Sequence, residues 1–282
     1  MLPATGRWLS PAQKEQFIRD GYVVVPGLLS ADVVASVRHE IETALGLDPD
    51  DAATWKGPTV AYQIHALTTP CRTAELEAAA SELVGPHFLR GECFSPYLDS
   101  LGLDPVVQGY IPVLNYPRPG PPKFVKPNGF HIDGIHTATL WPDKHYLVIL
   151  AYLSDTPEYG GATAVRPGSH RQLFAHWITQ GVTPGPNELL ADLPYAEPIP
   201  IPGKAGDVIF MHYLTVHSSS NNHSDHIRFA LNGVIQPDPA HPYTPKPGPP
   251  QPDWTPLDWT LRTDVLAADL PSRDGNSLDI RP

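Results

Sequence analysis

The sequence predicts an α+β protein that is mainly β, with helices first along the chain and strands after them. Prolines make up 35 of the 282 residues, about 12%, against roughly 5% in average proteins. Such a density excludes a mostly helical protein, because proline disrupts the interior of a helix. From about residue 108, short apolar runs alternate with turn residues, which is typical of a β-sandwich or barrel.

The amino-terminal third carries the predicted helices. Ser10 with Gln13 forms a capping-box pattern that begins the first helix, and Gly21 marks its end. Ser30 caps a second helix, whose apolar residues follow the spacing of one helical face. A third helix is expected at about 73–84. These helices are expected to pack on one side of the β core.

The predicted strands are apolar runs bounded by turn residues, and the first is the buried run 22–25. The later runs are 110–114, 147–153, 162–165, 208–211 and 229–235. Residues 237–256 hold nine prolines in a stretch of 20, which excludes a central strand. That segment is interpreted as an extended surface segment, with a flap over an open barrel end as the alternative. With no internal repeat, one domain over residues 1–282 is expected.

Charge and cysteine content limit the partners and the compartment. The formal net charge is −11, which argues against nucleic acid or an anionic membrane as partner, since both require basic patches. No apolar run approaches the roughly 18 residues of a membrane-spanning helix. The two cysteines, Cys71 and Cys93, make no disulfide framework, and the start of the chain lacks a secretory signal pattern. A cytoplasmic protein acting on a small molecule is expected, and the oligomeric state is left open.

His131 and Asp133 are the first candidate site residues. Side chains two positions apart point the same way along a strand, so both can reach one ion. His217, after the run 208–211, can supply a third ligand. Two imidazoles and one carboxylate bind one face of Fe(II) and leave the other positions open for a cosubstrate and dioxygen. A lone His-x-Asp is more often a surface pair, so its context decides between the two interpretations.

Four segments, in order, supply that context: QFIRDGYVVVPGLLS, GFHID, GGATAVRPGSHR and GDVIFMHYLTVHSSSNNHSDHIR. Together they span roughly residues 13 to 235, and they resemble the phytanoyl-CoA dioxygenase family, a branch of the Fe(II)- and 2-oxoglutarate-dependent oxygenases. The resemblance implies a double-stranded β-helix core, the jelly-roll or cupin-like fold, with supporting amino-terminal helices.

The same resemblance implies that His131, Asp133 and His217 are the iron ligands. It implies that Arg228, eleven residues after His217, holds the distal carboxylate of 2-oxoglutarate. A guanidinium suits that role because its planar fork meets a carboxylate with two hydrogen bonds. The keto-acid end of 2-oxoglutarate would chelate the iron, and dioxygen would take the remaining place.

Three further residues are candidates for the cosubstrate pocket. Ser219 shares the strand parity of His217 and can donate to the same carboxylate, or it is an ordinary serine of a polar run. Asn115 lies where the family often has a polar contact to the cosubstrate. Tyr152 lies where the family often has an aromatic lining residue, although a core tyrosine is equally consistent with its position.

Substrate recognition is the least determined feature. Arg118, Lys123 and Lys126 precede the first ligand and can attract an anionic substrate, with a solvated loop as the alternative. His136 and Trp141 follow the ligand segment and are candidates for substrate contact, or structural residues.

The implied reaction is oxidation, normally hydroxylation, of an unactivated C–H bond of a small molecule, with release of succinate and carbon dioxide. Family members act on acyl-CoA thioesters, amino acids, phosphonates and many natural products. Asp133 favours oxygenation over halogenation, because halogenases of this scaffold replace the carboxylate with a small residue. Two alternatives are a cupin-like metal-dependent isomerase or hydrolase, against which Arg228 argues, and a non-catalytic binding barrel, which the complete ligand set disfavours.

Overall fold

A computed structural model of the chain describes residues 8–85, 93–94, 106–107, 109–133, 147–180, 190, 193–235 and 255–260. Within them the helices are α1 (Pro11–Asp20), α2 (Ala31–Leu45), α3 (Ala74–Val84), α4 (Ser169–Gln180) and α5 (Pro256–Thr260), with 3₁₀ segments at Ala52–Thr54 and Tyr62–Cys71. The strands are β1 (Tyr22–Val25), β2 (Cys93–Phe94), β3 (Val106–Val107), β4 (Ile111–Asn115), β5 (Leu147–Tyr152), β6 (Thr163–Val165), β7 (Ile199–Ile201), β8 (Val208–His212), β9 (His217–Ser219) and β10 (Arg228–Ile235). Of the proline-rich segment 237–256, residues 237–254 lie outside the described residues.

Two antiparallel sheets form the body of the molecule. The large sheet has five strands in the order β1-β8-β5-β10-β4, and the small sheet has three in the order β7-β6-β9. An isolated bridge pairs His131 with His217, so the segment before Asp133 lies beside β9 and extends the small sheet. Every strand predicted from the apolar runs is present, and the prediction of a mainly β protein with helices before the strands is confirmed.

Tyr152 ties the two sheets together. It is the last residue of β5 in the large sheet and is fully buried. Its hydroxyl donates to the carbonyl oxygen of Ile201 on β7, at 2.8 Å, and accepts from the amide of Thr163 on β6, at 3.0 Å. Both partners belong to the small sheet, so this one side chain fixes the spacing of the sheets beside the barrel interior.

The amino-terminal helices cover the large sheet, as predicted. The Ser10 side chain accepts from the amide of Gln13 at 3.2 Å, and the Gln13 side chain accepts from the amide of Ser10 at 2.9 Å. This reciprocal capping box begins α1. In α2, the guanidinium carbon of Arg38 lies 4.9 Å from the centre of the Phe229 ring on β10, which places that helix against the sheet.

Helix α4 was not predicted. The pair before it, Pro167-Gly168, is typical of a turn, and a 12-residue helix begins directly after that pair, at Ser169. His170, in its first turn, is 1% exposed, and its Nε2 donates to the carbonyl oxygen of Ile18 at 3.1 Å. A side chain at Gly21 would collide with the His170 ring. Packing against α1 therefore fixes the start of α4, which no local pattern signals.

Among the described residues no helix combines the length and the apolar character that crossing a membrane requires.

His170 should make stability depend on pH on the acid side. Burial, aided by the charge of Arg171, lowers the pKa of His170 to about 3, from an ordinary value of 6.5. Between those two values the unfolded chain takes up a proton that the folded chain does not, so stability falls as pH decreases. One proton corresponds to about 1.4 kcal/mol per pH unit. His170→Gln should therefore flatten the loss of unfolding free energy between about pH 6 and pH 4, measured by urea denaturation.

His39→Gln is the matched control for that measurement. His39 is exposed on α2, so its loss should leave the slope unchanged. Parallel curves for His170→Gln and the unsubstituted chain would contradict the assignment.

Candidate metal centre

The structure brings His131, Asp133 and His217 together. Nε2 of His131 lies 3.6 Å from Oδ1 of Asp133, and Nε2 of His217 lies 3.6 Å from the same oxygen. One ligand atom from each residue lies within 4.8 Å of the other two. Among the described residues this is the one group of three or more such side chains that can hold a metal ion.

Backbone pairing places the two imidazoles side by side. The amide of His131 donates to the carbonyl oxygen of His217 at 3.0 Å, and the amide of His217 donates to that of His131 at 2.9 Å. Directly opposed residues of an antiparallel pair project to the same face, and the two ring centres are 4.6 Å apart. Ile132, between the ligands, points to the other face and is fully buried, which anchors the segment.

Backbone carbonyls set the imidazole tautomers. Nδ1 of His131 lies 2.9 Å from the carbonyl oxygen of Gly129, and Nδ1 of His217 lies 2.9 Å from that of Thr215. A carbonyl oxygen only accepts, so each Nδ1 carries a hydrogen. In the neutral rings the lone pair is then on Nε2, the atom that faces Asp133, and this is the arrangement that a metal-binding histidine needs.

The electrostatics favour an ionised carboxylate. Burial by itself raises the pKa of Asp133, but the charges and contacts of His217 and His131 outweigh it and hold that pKa well below its ordinary value. For His131 burial acts in the opposite direction and lowers the pKa. The hydrogen bond and charge of Asp133, together with the Gly129 carbonyl, outweigh burial and raise the pKa of His131 above its ordinary value. A cation binding here displaces protons from imidazole, so its affinity should rise with pH.

The donor set and its spacing suit a first-row divalent metal. Two imidazole nitrogens and one carboxylate oxygen on one side of an ion are the facial ligand set of non-haem Fe(II). Donors about 2.1 Å from an ion and at right angles are about 3 Å apart. The observed 3.6 Å between each Nε2 and Oδ1 therefore requires only a small contraction.

Arg228 lies deeper in the same interior and is 1% exposed. One terminal nitrogen donates to the Val113 carbonyl oxygen at 3.3 Å, and the other donates to Oγ of Ser219 at 2.9 Å. Nε is buried and has no hydrogen-bond partner among the described residues, and no carboxylate of those residues pairs with the guanidinium. Burial lowers the pKa of Arg228. A buried cation in this state calls for an anionic ligand.

Asn115 and Tyr152 lie close to Arg228, and the side chain of each already makes hydrogen bonds within the protein. Asn115 is paired with Arg228 across β4 and β10, and its side-chain amide donates to the carbonyl oxygen of Ser220 at 2.8 Å. The Tyr152 hydroxyl proton is donated to Ile201. The ring of Tyr152 can wall a pocket, but its hydroxyl has no further hydrogen to donate to a ligand.

Of the candidate substrate residues, His136 and Trp141 lie outside the described residues. Lys126 is exposed and its Nζ lies 2.9 Å from Oε2 of Glu197. Lys126 and Arg118 line a cleft of about 1120 Å³, together with Arg166. Lys123 is not among the residues lining that cleft.

The cleft lies beside the metal centre. Phe130, Val216 and Ser218 line it, and because they alternate with the two histidine ligands along the chain, they face the other side of the sheet. Ser219, which shares the parity of His217 and is exposed, lines the cleft as well, so the cleft extends to the ligand side of the small sheet.

Asn232 contacts the centre and was missed by sequence reasoning. Its Nδ2 donates to Oδ2 of Asp133 at 3.2 Å. The available signal was its place on β10, four residues after Arg228 and therefore on the same face of the strand.

A family model described as "Phytanoyl-CoA dioxygenase (PhyH)" matches residues 17–230. No curated protein matches the chain.

Solved structures share the fold at low identity. The "non-heme alpha ketoglutarate dependent carbocyclase SnoK from nogalamycin biosynthesis" is 20% identical, with a TM-score of 0.55 over 81% of this chain and 84% of that one. AviO1 from Streptomyces viridochromogenes Tue57 is 21% identical, with a TM-score of 0.52 over 84% and 99%. EctD from S. alaskensis, solved with 2-oxoglutarate and 5-hydroxyectoine, is 20% identical, with a TM-score of 0.52 over 82% and 77%. These likenesses confirm the predicted jelly-roll core.

Replacing any one of His131, Asp133 or His217 by Ala should weaken Fe(II) binding by more than about 100-fold, beyond the usual 10- to 100-fold effect of changing a residue that only supports a ligand. The affinity is measured by anaerobic titration, and circular dichroism should show an intact fold. His39→Ala, an exposed substitution, should bind the metal normally. Unchanged metal content in a variant with all three residues replaced by Ala would place the site elsewhere.

Proposed function

The chain belongs to the phytanoyl-CoA dioxygenase family, and we propose that it is an Fe(II)- and 2-oxoglutarate-dependent oxygenase that hydroxylates an unactivated C–H bond of a small molecule. Family membership, the shared fold and the His-Asp-His group support a non-haem iron and 2-oxoglutarate-dependent enzyme. The single observation that carries the proposal is the buried Arg228, which has no carboxylate partner among the described residues and lies in the same interior as the candidate metal ligands.

In this proposal His131, Asp133 and His217 hold the iron, and Arg228 with Ser219 binds the distal carboxylate of 2-oxoglutarate. The Ser219 hydroxyl accepts from Arg228, so its own hydrogen is available to the same carboxylate. The Asn115 amide donates one hydrogen to Ser220 and has a second for the cosubstrate, and the ring of Tyr152 lines the pocket. Two of the solved relatives by fold, EvdO2 from Micromonospora carbonacea var. aurantiaca (TM-score 0.51) and EctD, hold 2-oxoglutarate, which supports the same cosubstrate here.

Iron and 2-oxoglutarate would supply the oxidising power: one dioxygen is consumed, one oxygen atom enters succinate, and the other enters the substrate alcohol as carbon dioxide leaves. The residues of the chain bind and orient the reactants. The test is a succinate assay of purified protein with Fe(II), 2-oxoglutarate and oxygen, across a metabolite library. A metal-dependent isomerase or hydrolase would make no succinate with any compound, and a binding barrel would turn nothing over.

A second outcome of the same chemistry is ring formation, because SnoK, which shares the fold, is named a carbocyclase. Mass spectrometry of the product separates the two: hydroxylation adds one oxygen atom, whereas ring closure removes two hydrogens.

One domain over residues 1–282 is consistent with the family match at 17–230. A cytoplasmic location is supported by the free, buried thiol of Cys71, which suits a reducing compartment.

Arg228→Lys should weaken 2-oxoglutarate binding. Lysine keeps the charge but loses the planar fork, and losing one charge-assisted hydrogen bond costs about 1.5–3 kcal/mol, roughly 10- to 150-fold in affinity. The apparent KM for 2-oxoglutarate measures the effect. Arg118→Lys makes the same change at an exposed position and should leave that KM unaltered. Equal values for both variants would place Arg228 outside the cosubstrate pocket.

We propose further that the basic residues before the metal segment attract an anionic substrate. Arg118 and Lys126 share their cleft with Arg166, and among the described residues that line it Glu197 supplies the one carboxylate. The expected effect is steering toward the site, because these cations line a cleft beside it.

Changing Arg118, Lys123 and Lys126 to Gln should lower kcat/KM for the substrate that the library identifies and flatten its salt dependence, because steering is screened by salt. Iron and 2-oxoglutarate affinities should survive. Changing Lys14, Arg19 and Arg38 to Gln removes the same charge from the amino-terminal helices and serves as the control. If both triple variants have the unsubstituted kcat/KM at low salt, the basic run is a solvated loop.

A further inference from the structure

The two oxygens of the Asp133 carboxylate have different surroundings. Oδ1 faces both imidazoles, 3.6 Å from each Nε2. Oδ2 accepts a hydrogen bond from Nδ2 of Asn232 at 3.2 Å. The carboxylate therefore has a metal-facing oxygen and an oxygen held by an amide.

The orientation of the Asn232 amide follows from the charge of its partner. An ionised carboxylate only accepts hydrogen bonds, so the NH₂ end of the amide, and not its oxygen, must face Oδ2. The donor is thus directed at Oδ2.

The position of Asn232 is fixed by the sheet. It pairs with Leu150 of β5 on one side and with Ile111 of β4 on the other. Arg228 lies four residues earlier on the same face of β10, about 13 Å away along a strand that rises about 3.3 Å per residue. A residue held in the middle of three strands presents its side chain with little freedom, which is what support of a metal ligand requires.

We infer that Asn232 is a positioning residue that restricts Asp133 to binding the metal through Oδ1 alone. The inference rests on the proposed function, because it concerns the number of coordination positions left open. Two imidazoles and a one-oxygen carboxylate leave three positions of an octahedral ion, enough for a chelating cosubstrate and dioxygen. A carboxylate bound through both oxygens would leave only two, and the hydrogen bond from Asn232 competes for the lone pairs of Oδ2 that such binding would use.

The experiment measures the metal site without turnover. Co(II), whose visible absorption depends on the number and arrangement of its ligands, is titrated into the full chain and into Asn232→Leu and Asn232→Ala. Leu matches the size of Asn without a donor, and Ala removes the donor without added bulk. Both variants should bind Co(II) about 10- to 100-fold more weakly and with an altered spectrum, while the melting temperature shows that they are folded.

Asn221→Leu is the matched control. Asn221 is exposed in the turn after β9, four residues beyond His217, and its substitution should leave affinity and spectrum unchanged. If the unsubstituted chain binds Co(II), and a folded Asn232 variant binds it with the same affinity and spectrum, the positioning role is overturned while the proposed function stands. If the unsubstituted chain does not bind Co(II) at all, the metal centre itself is overturned.

Discussion

Two backbone hydrogen bonds between His131 and His217 hold the candidate centre together. They join the segment of His131 to β9, the edge strand of the small sheet. Because opposed residues share a face, pairing the backbones also pairs the imidazoles, and Asp133 follows two residues later on that face. The tautomers depend on the same geometry, since each Nδ1 reaches a carbonyl two residues earlier in its own segment. A shift of one residue in this register would turn the ligands out of the barrel.

The second constraint is the charge of the interior. At the metal end, Asp133 is balanced by two imidazoles; at the other end, Arg228 is buried with only neutral partners among the described residues. An unbalanced buried cation is costly unless a ligand supplies the anion. A dicarboxylate that binds the metal with one end and Arg228 with the other would satisfy both ends. The hydrogen bonds of Tyr152 to the small sheet keep the walls of that space in place.

Strand alternation connects these parts. On β9, His217 and Ser219 share one face; on β10, Arg228 and Asn232 share one face. The Ser219 hydroxyl accepts a hydrogen bond from Arg228, and the Asn232 amide donates one to Asp133. The two strands therefore supply side chains to both the metal end and the Arg228 end of the site. Ser218, between the two residues of β9, faces away from them, and both Ser218 and Ser219 line the neighbouring cleft.

The sequence by itself determined the local elements and the ligand types. Capping at Ser10, the apolar runs of the strands and the spacing of His131 and Asp133 are short-range signals, and each keeps its predicted structure. That His217 and Arg228 lie close to His131 and Asp133 was indicated only by the family resemblance. A separation along the chain does not by itself determine whether two residues are close in the folded protein. Only the tertiary structure decided the start of α4, which depends on packing of His170 against α1, and the contact of Asn232 with Asp133. Both arise between segments far apart in the chain, where sheet register and packing, and not local preference, fix which side chains touch.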